Sequence, residues 1–215
     1  MIRRHDLISA ACGFALTIIM MTAQMSSGSA AEGKLAVAIF AGGCFWCVEA
    51  DFDKVRGVKG TISGYAGGRV RNPTYKQVTA GGTGHREAVK ILYNPKQVSY
   101  EKLLYIFWRS IDPTDGGGQF CDRGSSYTTA IFATNKRQRQ LANASKKKLI
   151  QSGALGGRIV TPILGAARFY KAEGYHQNYY RKKPAPYHLY RTGCRRDARI
   201  RSLWGSQAHG GIPHS

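Results

Sequence analysis

Residues 34–54 read KLAVAIFAGGCFWCVEADFDK. The first eight, Lys34 to Ala41, form a short apolar run that stops at Gly42-Gly43, the pattern of a buried strand. From Cys44 to Lys54 acids come early, and Val48, Phe52 and Val55 recur at helical spacing, so a helix begins at the cysteine. The rest of the chain must be built around a strand, two glycines and a helix that opens on a thiol.

Outward from this stretch, strands and helices alternate. Val58 to Tyr65 alternates as a strand, and residues 66–84 are Gly-rich with Asn72-Pro73, a long loop. Glu87 to Tyr93 (EAVKILY) is a strand ending at Asn94-Pro95. Ser99 caps an amphipathic helix over 100–110, with Leu103, Leu104, Phe107 and Ile111 on its apolar side. After a polar loop over 113–126 come a strand at Thr128 to Ala133, a basic helix at Lys136 to Gln151 and a strand at Ile159 to Leu164. Strand, helix, strand, strand, helix, strand is the order of a split βαβ unit. The expected fold is α+β, a two-layer ferredoxin-like α/β plait with long loops and an irregular C-terminal tail.

The composition suits one such domain. The chain has 215 residues, 43% hydrophobic and 20% charged, enough for a sizeable core. Arg3 and Arg4, an apolar run from Leu7 to Thr22 and small residues at 26–31 form a secretory signal over 1–30. The run of about 16 residues is short for a membrane span, and nothing later could cross one. The expected product is an exported, periplasmic protein with one domain over 31–215, a monomer by default. The net charge of +20 raises nucleic acid or anionic surfaces as partners. Residues 136–201 hold 17 Lys and Arg against two acids, yet they carry no aromatic–basic RNA motif and no zinc-finger spacing. Export also argues against nucleic acid. The plain account of this stretch is a solvated helix face and a charged tail.

Four cysteines remain after the signal: Cys44, Cys47, Cys121 and Cys194. They are too few for a disulfide scaffold, and a zinc site lacks a second close ligand pair, so no metal is expected. A thiol reacts as the thiolate, and a cysteine at a helix start faces unpaired N–H groups and the positive end of the dipole. This placement predicts a lowered pKa for Cys44. Phe45 and Trp46 wall an apolar pocket beside it, and Cys47 follows at a spacing open to a disulfide. On residue type alone, Glu87 is a solvated strand residue and Tyr75 and Tyr127 are surface loop tyrosines.

Gly42-Gly43-Cys44-Phe45-Trp46 resembles the signature of the peptide methionine sulfoxide reductase A family. So do GYAGG at 64–68, NPTY at 72–75, GGTGHRE at 81–87, Asp112-Pro113-Thr114, Ser126-Tyr127 and EGYHQNY at 173–179, collinear over residues 35–200. The resemblance implies thiol-dependent reduction of the S epimer of methionine sulfoxide, free or in proteins, with no bound cofactor. It implies Cys44 as nucleophile, Phe45 and Trp46 around the substrate methyl group and Glu87 as a buried, protonated acid. Tyr75 and Tyr127 would bond the sulfoxide oxygen, with Asp122 a polar neighbour; His85 and His176 are taken as structural.

Cys47 stands where many members carry a small non-thiol residue, and Cys121 precedes Asp122 where asparagine is more usual. The Cys44 sulfenic acid needs a second thiol. Cys194, similar to the family's C-terminal recycling cysteine, comes first, Cys47 second and Cys121 third. A thioredoxin-like dithiol would then restore the enzyme, whose substrates would be oxidised exported proteins and free methionine sulfoxide. Two other functions compete: a Cys44-x-x-Cys47 thiol–disulfide oxidoreductase, and a basic surface-binding protein without catalysis.

Overall fold

The computed structural model describes residue 1 and residues 34–213; the expected signal segment lies, beyond its first residue, outside the described residues. Strand β1 (Ala36–Ala41) leads into α1 (Phe45–Phe52), β2 (Val58–Ala66), the short α2 (Tyr75–Thr79) and β3 (Arg86–Tyr93). Next come α3 (Tyr100–Trp108), the two-residue strands β4 (Gly118–Gln119) and β5 (Asp122–Arg123), a 3-10 turn at Ser125–Tyr127 and β6 (Ala130–Phe132). The chain then forms α4 (Lys136–Gln151), β7 (Ile163–Leu164), β8 (Phe169–Lys171), α5 (Tyr179–Lys182), α6 (Pro184–Gly193) and α7 (Arg196–Trp204). Among the described residues no helix is long and apolar enough to cross a membrane.

Six strands make one sheet in the order β7-β6-β1-β3-β2-β8, and β4 pairs with β5 apart from it. β1 lies antiparallel between β3 and β6, with Ala36 opposite Tyr93 and Ala41 opposite Ala130; among the described residues only β6 and β7 run parallel. Alternation along β1 sends Ala38 and Phe40 to the helix-covered face and Ile39 and Ala41 to the other. Phe40 stacks on Phe107 of α3 at 4.8 Å and meets Phe52 of α1 at 5.6 Å, so one side chain ties both helices to the sheet. Its complete burial contributes about 2–3 kcal/mol.

Ser99 caps α3 by accepting from Lys102 N–H, as the sequence suggests. Three expectations need correction. The 66–84 loop contains α2, whose Thr74 and Gln77 form a reciprocal capping box. The strand expected over 159–164 is reduced to two residues, because Pro162 has no N–H to give the ladder and only its carbonyl bonds, to Ile131. The C-terminal tail is not irregular: it supplies β8 and three helices. Their apolar contacts are few and separated by basic residues, but Tyr187, Ile200 and Trp204 are buried, and Trp204 Nε1 donates to Ile111 O at 3.4 Å.

The strand-to-helix turn holds the site together. Gly43 has φ +82°, and a Cβ there would sit 2.5 Å from Gln119 Cβ; a Cβ on Gly42 would press Val48 at 2.9 Å. Gln119 is itself fixed, accepting from Asp112 N–H at 2.9 Å and donating to Asp112 O at 2.8 Å. The loop bearing Asp122 is thereby packed against the start of α1.

Candidate active site

Cys44 is the N-cap of α1, 6% exposed, with no side-chain bond to the helix backbone. The helix's first free N–H, on Phe45, donates instead to Glu87 Oε2 at 2.9 Å. Glu87 is not a solvated strand residue. It sits on β3 with 1% exposure, and burial raises its carboxyl well above the usual range despite that bond. Cys47 N–H donates to Cys44 O at 3.2 Å, and both thiols are buried and free.

The expected lowering of the Cys44 pKa is reversed. Burial pushes this thiol up, and Cys47 and Glu87 push it further. Its partner goes the other way: the hydrogen bond from Cys44 lowers the Cys47 thiol, aided by the Arg196 and Arg191 cations and opposed by burial. Of the two thiols, Cys47, one turn inside the helix, is the more easily ionised.

An aromatic wall surrounds the thiols. Phe45 is buried among Tyr65, Tyr75 and His176 at ring distances of 6.0, 6.5 and 4.9 Å. Trp46 stacks flat on Tyr179 at 3.8 Å and meets Tyr190 edge-on at 5.7 Å. Its indole N–H donates to His176 Nδ1 at 3.0 Å, which assigns any proton on that ring to Nε2. Burial lowers His176 to about 4, so it is neutral and keeps this acceptor. Burial, followed by the proximity of Glu87, raises the phenols of both Tyr75 and Tyr127. Asp122 accepts a hydrogen bond from Tyr190. Cys44, Phe45, Trp46, Tyr75, Glu87 and Asp122 are thus connected through one network of contacts, and the charge of Glu87 is felt by Tyr127 as well.

Cys194, the first choice to bridge Cys44, is bonded to Cys121 instead, with Cα atoms 4.9 Å apart. His85 holds the 66–84 loop, accepting from Gly68 N–H at 3.1 Å and pairing with Val70 O at 2.8 Å. Sequence reasoning missed Tyr190, Arg196, Glu173 and Glu49. Glu173 joins the network by accepting from Tyr65 hydroxyl and Tyr75 N–H, each at 2.8 Å. It belongs to the EGYHQNY segment, which was the available signal; nothing local marks Tyr190 or Arg196.

A family model for peptide methionine sulfoxide reductase matches residues 36–208. The chain belongs to the peptide methionine sulfoxide reductase family. It is 54% identical over 174 residues to peptide methionine sulfoxide reductase MsrA of Bacillus subtilis (strain 168), covering 81% of this chain and 98% of that one. It is 54% identical over 177 residues to MsrA 2 of Rhizobium meliloti (strain 1021), covering 82% and 87%. Among solved structures it resembles methionine sulfoxide reductase A of Corynebacterium diphtheriae, with TM-score 0.63 and 34% identity over 70% of this chain and 76% of that one. The family's reaction, reduction of methionine sulfoxide, is this enzyme's activity.

Proposed function

We propose that the enzyme reduces the S epimer of methionine sulfoxide by a cycle confined to Cys44 and Cys47. The substrate methyl lies against Phe45 and Trp46, and its oxygen meets Tyr75, Tyr127 and the protonated Glu87. As Cys44 attacks the sulfoxide sulfur, its proton passes to the Cys47 thiolate and the Glu87 proton passes to the oxygen. Methionine leaves and Cys44 keeps the oxygen as a sulfenic acid. Cys47 then attacks that sulfur: the S–S bond forms, the S–O bond breaks, and hydroxide departs as water with the Cys47 proton. Glu87 regains its proton from solvent. The sulfoxide has gained two electrons and the thiol pair has lost two. A thioredoxin-like dithiol restores the pair.

The observation that carries this cycle is the pairing of two free, buried thiols within one turn, Cys47 N–H donating to Cys44 O, beside a buried carboxyl that caps the same turn at Phe45. It moves Cys47 ahead of Cys194 as the resolving thiol, since Cys194 is already bonded to Cys121. The arginines and small residues of the first thirty positions support a cleaved signal, hence repair of oxidised proteins outside the cytoplasm by a monomer with one domain over 31–215. The order β6-β1-β3-β2 with helices between supports a ferredoxin-like plait at its centre. The test is one turnover of each resolved sulfoxide epimer by pre-reduced protein, with methionine and thiols counted. One methionine from the S epimer, two thiols lost and a mapped Cys44–Cys47 bridge are expected. Methionine from neither epimer would overturn the catalysis, and a Cys44–Cys194 bridge would overturn the assignment of Cys47.

A further inference from the structure

The Cys121–Cys194 bond joins two segments 73 residues apart. Cys121 stands at the tip of the β4–β5 hairpin: Gly118 pairs with Arg123 and Gln119 with Asp122, leaving Phe120 and Cys121 as a two-residue turn. Such a turn needs a positive φ at its first residue, where Gly, Asn or Asp is favoured. Here that residue is Phe120, at φ +57°. At the other end Cys194 closes α6, its N–H donating to Tyr190 O at 2.9 Å, and the next residue, Arg195, has φ +53°. Large side chains in the left-handed region are strained, and the strain persists only where surrounding contacts over-determine it. Both half-cystines therefore sit next to strained backbone.

What the bond clamps is one wall of the site. Asp122, beside Cys121, accepts from the hydroxyl of Tyr190, one turn before Cys194. Tyr190 also meets Trp46 edge-on at 5.7 Å, and the Phe120 ring lies 4.6 Å from the Arg196 guanidinium. Of these ties between the hairpin and the last helices, the disulfide alone is covalent. It is also accessible: Cys121 is exposed and Cys194 half-buried, whereas Cys44 and Cys47 are buried. Exposed or strained disulfides are the readily reduced ones. Opening this one does not cut the last helices loose, because Tyr187, Ile200 and Trp204 remain buried against the core.

We propose that Cys121–Cys194 is a second dithiol–disulfide site, separate from the resolving pair, whose redox state sets how firmly Tyr190 holds Trp46 and Asp122 and so sets the affinity for the sulfoxide. The proposal rests on the reading that the substrate methyl lies against Trp46. The partner of this site is a thioredoxin-like dithiol. One of its thiols, as thiolate, attacks Cys121 Sγ; the bond to Cys194 breaks, and Cys194 leaves as a thiolate and takes up a proton. The second thiol of the reductant then displaces Cys121 from the mixed disulfide. The enzyme has gained two electrons and two protons, and the reductant has become a disulfide. The reverse exchange with a disulfide oxidant closes the clamp. With the bond open, the backbone at Phe120 and Arg195 relaxes, the hairpin tip draws away from α6, and Tyr190 loosens from Trp46. Cys44, Cys47 and Glu87 stay in place, so binding weakens more than chemistry. Tyr190 is in this sense a positioning residue, and the clamp is tightest under the oxidising conditions that produce methionine sulfoxide.

The test compares single turnovers of the resolved S-sulfoxide by protein with Cys44 and Cys47 free and the Cys121–Cys194 bond either intact or reduced, each state verified by alkylation and peptide mapping. Reduction should raise the half-saturating sulfoxide concentration about 3- to 10-fold and change the limiting rate less than about twofold. Cys121→Ser combined with Cys194→Ser should match the reduced protein. Tyr190→Phe keeps the ring edge and loses the Asp122 bond, so it should start at the raised half-saturation and respond little to the state of the disulfide. A half-saturation unmoved by reduction overturns the proposal, and so does a bond that a thioredoxin used as the dithiol fails to open. A double-serine protein that makes one methionine and then stops in the presence of that dithiol also overturns it, because the pair would then carry electrons within the cycle. The reduced unsubstituted protein keeps the comparison valid even if the serine variants fail to fold. Absence of methionine from the unsubstituted protein in both states would instead overturn the catalytic reading beneath the proposal.

Discussion

Glu49 should make the enzyme less stable above neutral pH, and Glu49→Gln should remove that weakness. The residue lies on α1 with no exposed surface. Its Oε2 accepts from Asn178 N–H at 2.9 Å, while Oε1 and the hydroxyl of neighbouring Ser63 have no hydrogen-bond partner among the described residues. Burial first, and then Asp53, raise the carboxyl from 4.5 to about 7, opposed by the Asn178 bond, Ser63 and Lys182. The folded state therefore holds this proton more tightly than the unfolded chain does. Protonation stabilises the fold fully at pH below the unfolded value, and this support is lost as pH rises through about 7. At about 1.36 kcal/mol per pH unit the ceiling is roughly 3 kcal/mol, and solvent screening reduces it to about 1–2 kcal/mol. For a domain of this size that is roughly 3–6 °C in Tm. Glutamine keeps an oxygen for Asn178 and cannot ionise. Thermal unfolding of both proteins from about pH 5 to about pH 8.5 should show the Tm of Glu49→Gln gaining on the unsubstituted enzyme by that amount. Glu87, Cys44 and Cys47 titrate in both and cancel in the difference. Parallel Tm curves would refute the argument.

Three further outcomes are expected. Glu87→Gln keeps an acceptor for Phe45 N–H but loses the proton for the sulfoxide oxygen, so kcat/KM for the S-sulfoxide should fall about 100-fold or more; a loss of only a few-fold in steady-state assays would remove Glu87 as the acid. Cys121→Ser opens a bridge spanning 73 residues, which should cost about 3–4 kcal/mol and lower the non-reducing Tm by roughly 10 °C, with Cys194→Ser matching it in calorimetry. His176→Phe leaves the Trp46 indole without its acceptor, so KM should rise about 3- to 10-fold with a smaller change in kcat; equal effects on both would show that Trp46 orientation is not what His176 supplies.

What the sequence made legible follows the range of the forces involved. β1, α1, α3 and α4 are set by short-range periodicity and caps, and their positions were readable to within a few residues. Cys44, Phe45 and Trp46 were readable because three neighbours carry the signal. The tail was not, because Arg196 acts on Gly42 across 154 residues and Tyr190 on Asp122 across 68. Local inference failed outright on the Cys44 pKa. The helix dipole is a local feature and could be anticipated, whereas the burial that outweighs it is created by β3, the 173–179 segment and α6, all distant in sequence.

The basic tail shows how one composition can cover two physical roles. Along α4, Lys136, Arg137, Arg139, Lys147 and Lys148 are exposed, and their charge is dispersed in water. In the last helices the cations turn inward: Arg191 neutralises Asp51 and Asp197 beneath Cys47, and Arg196 reaches the turn before Cys44. Both flank Cys194, and Arg195, with φ +53°, redirects the chain between that cysteine and α7. The Cys121–Cys194 bond therefore fixes more than a loop. It anchors the short connection that sends Tyr190 to Asp122 on one side and Arg196 to Gly42 on the other. Net charge alone could not have separated these roles, because it counts a solvated lysine and a buried guanidinium alike, and only the latter acts on its neighbours without screening by water.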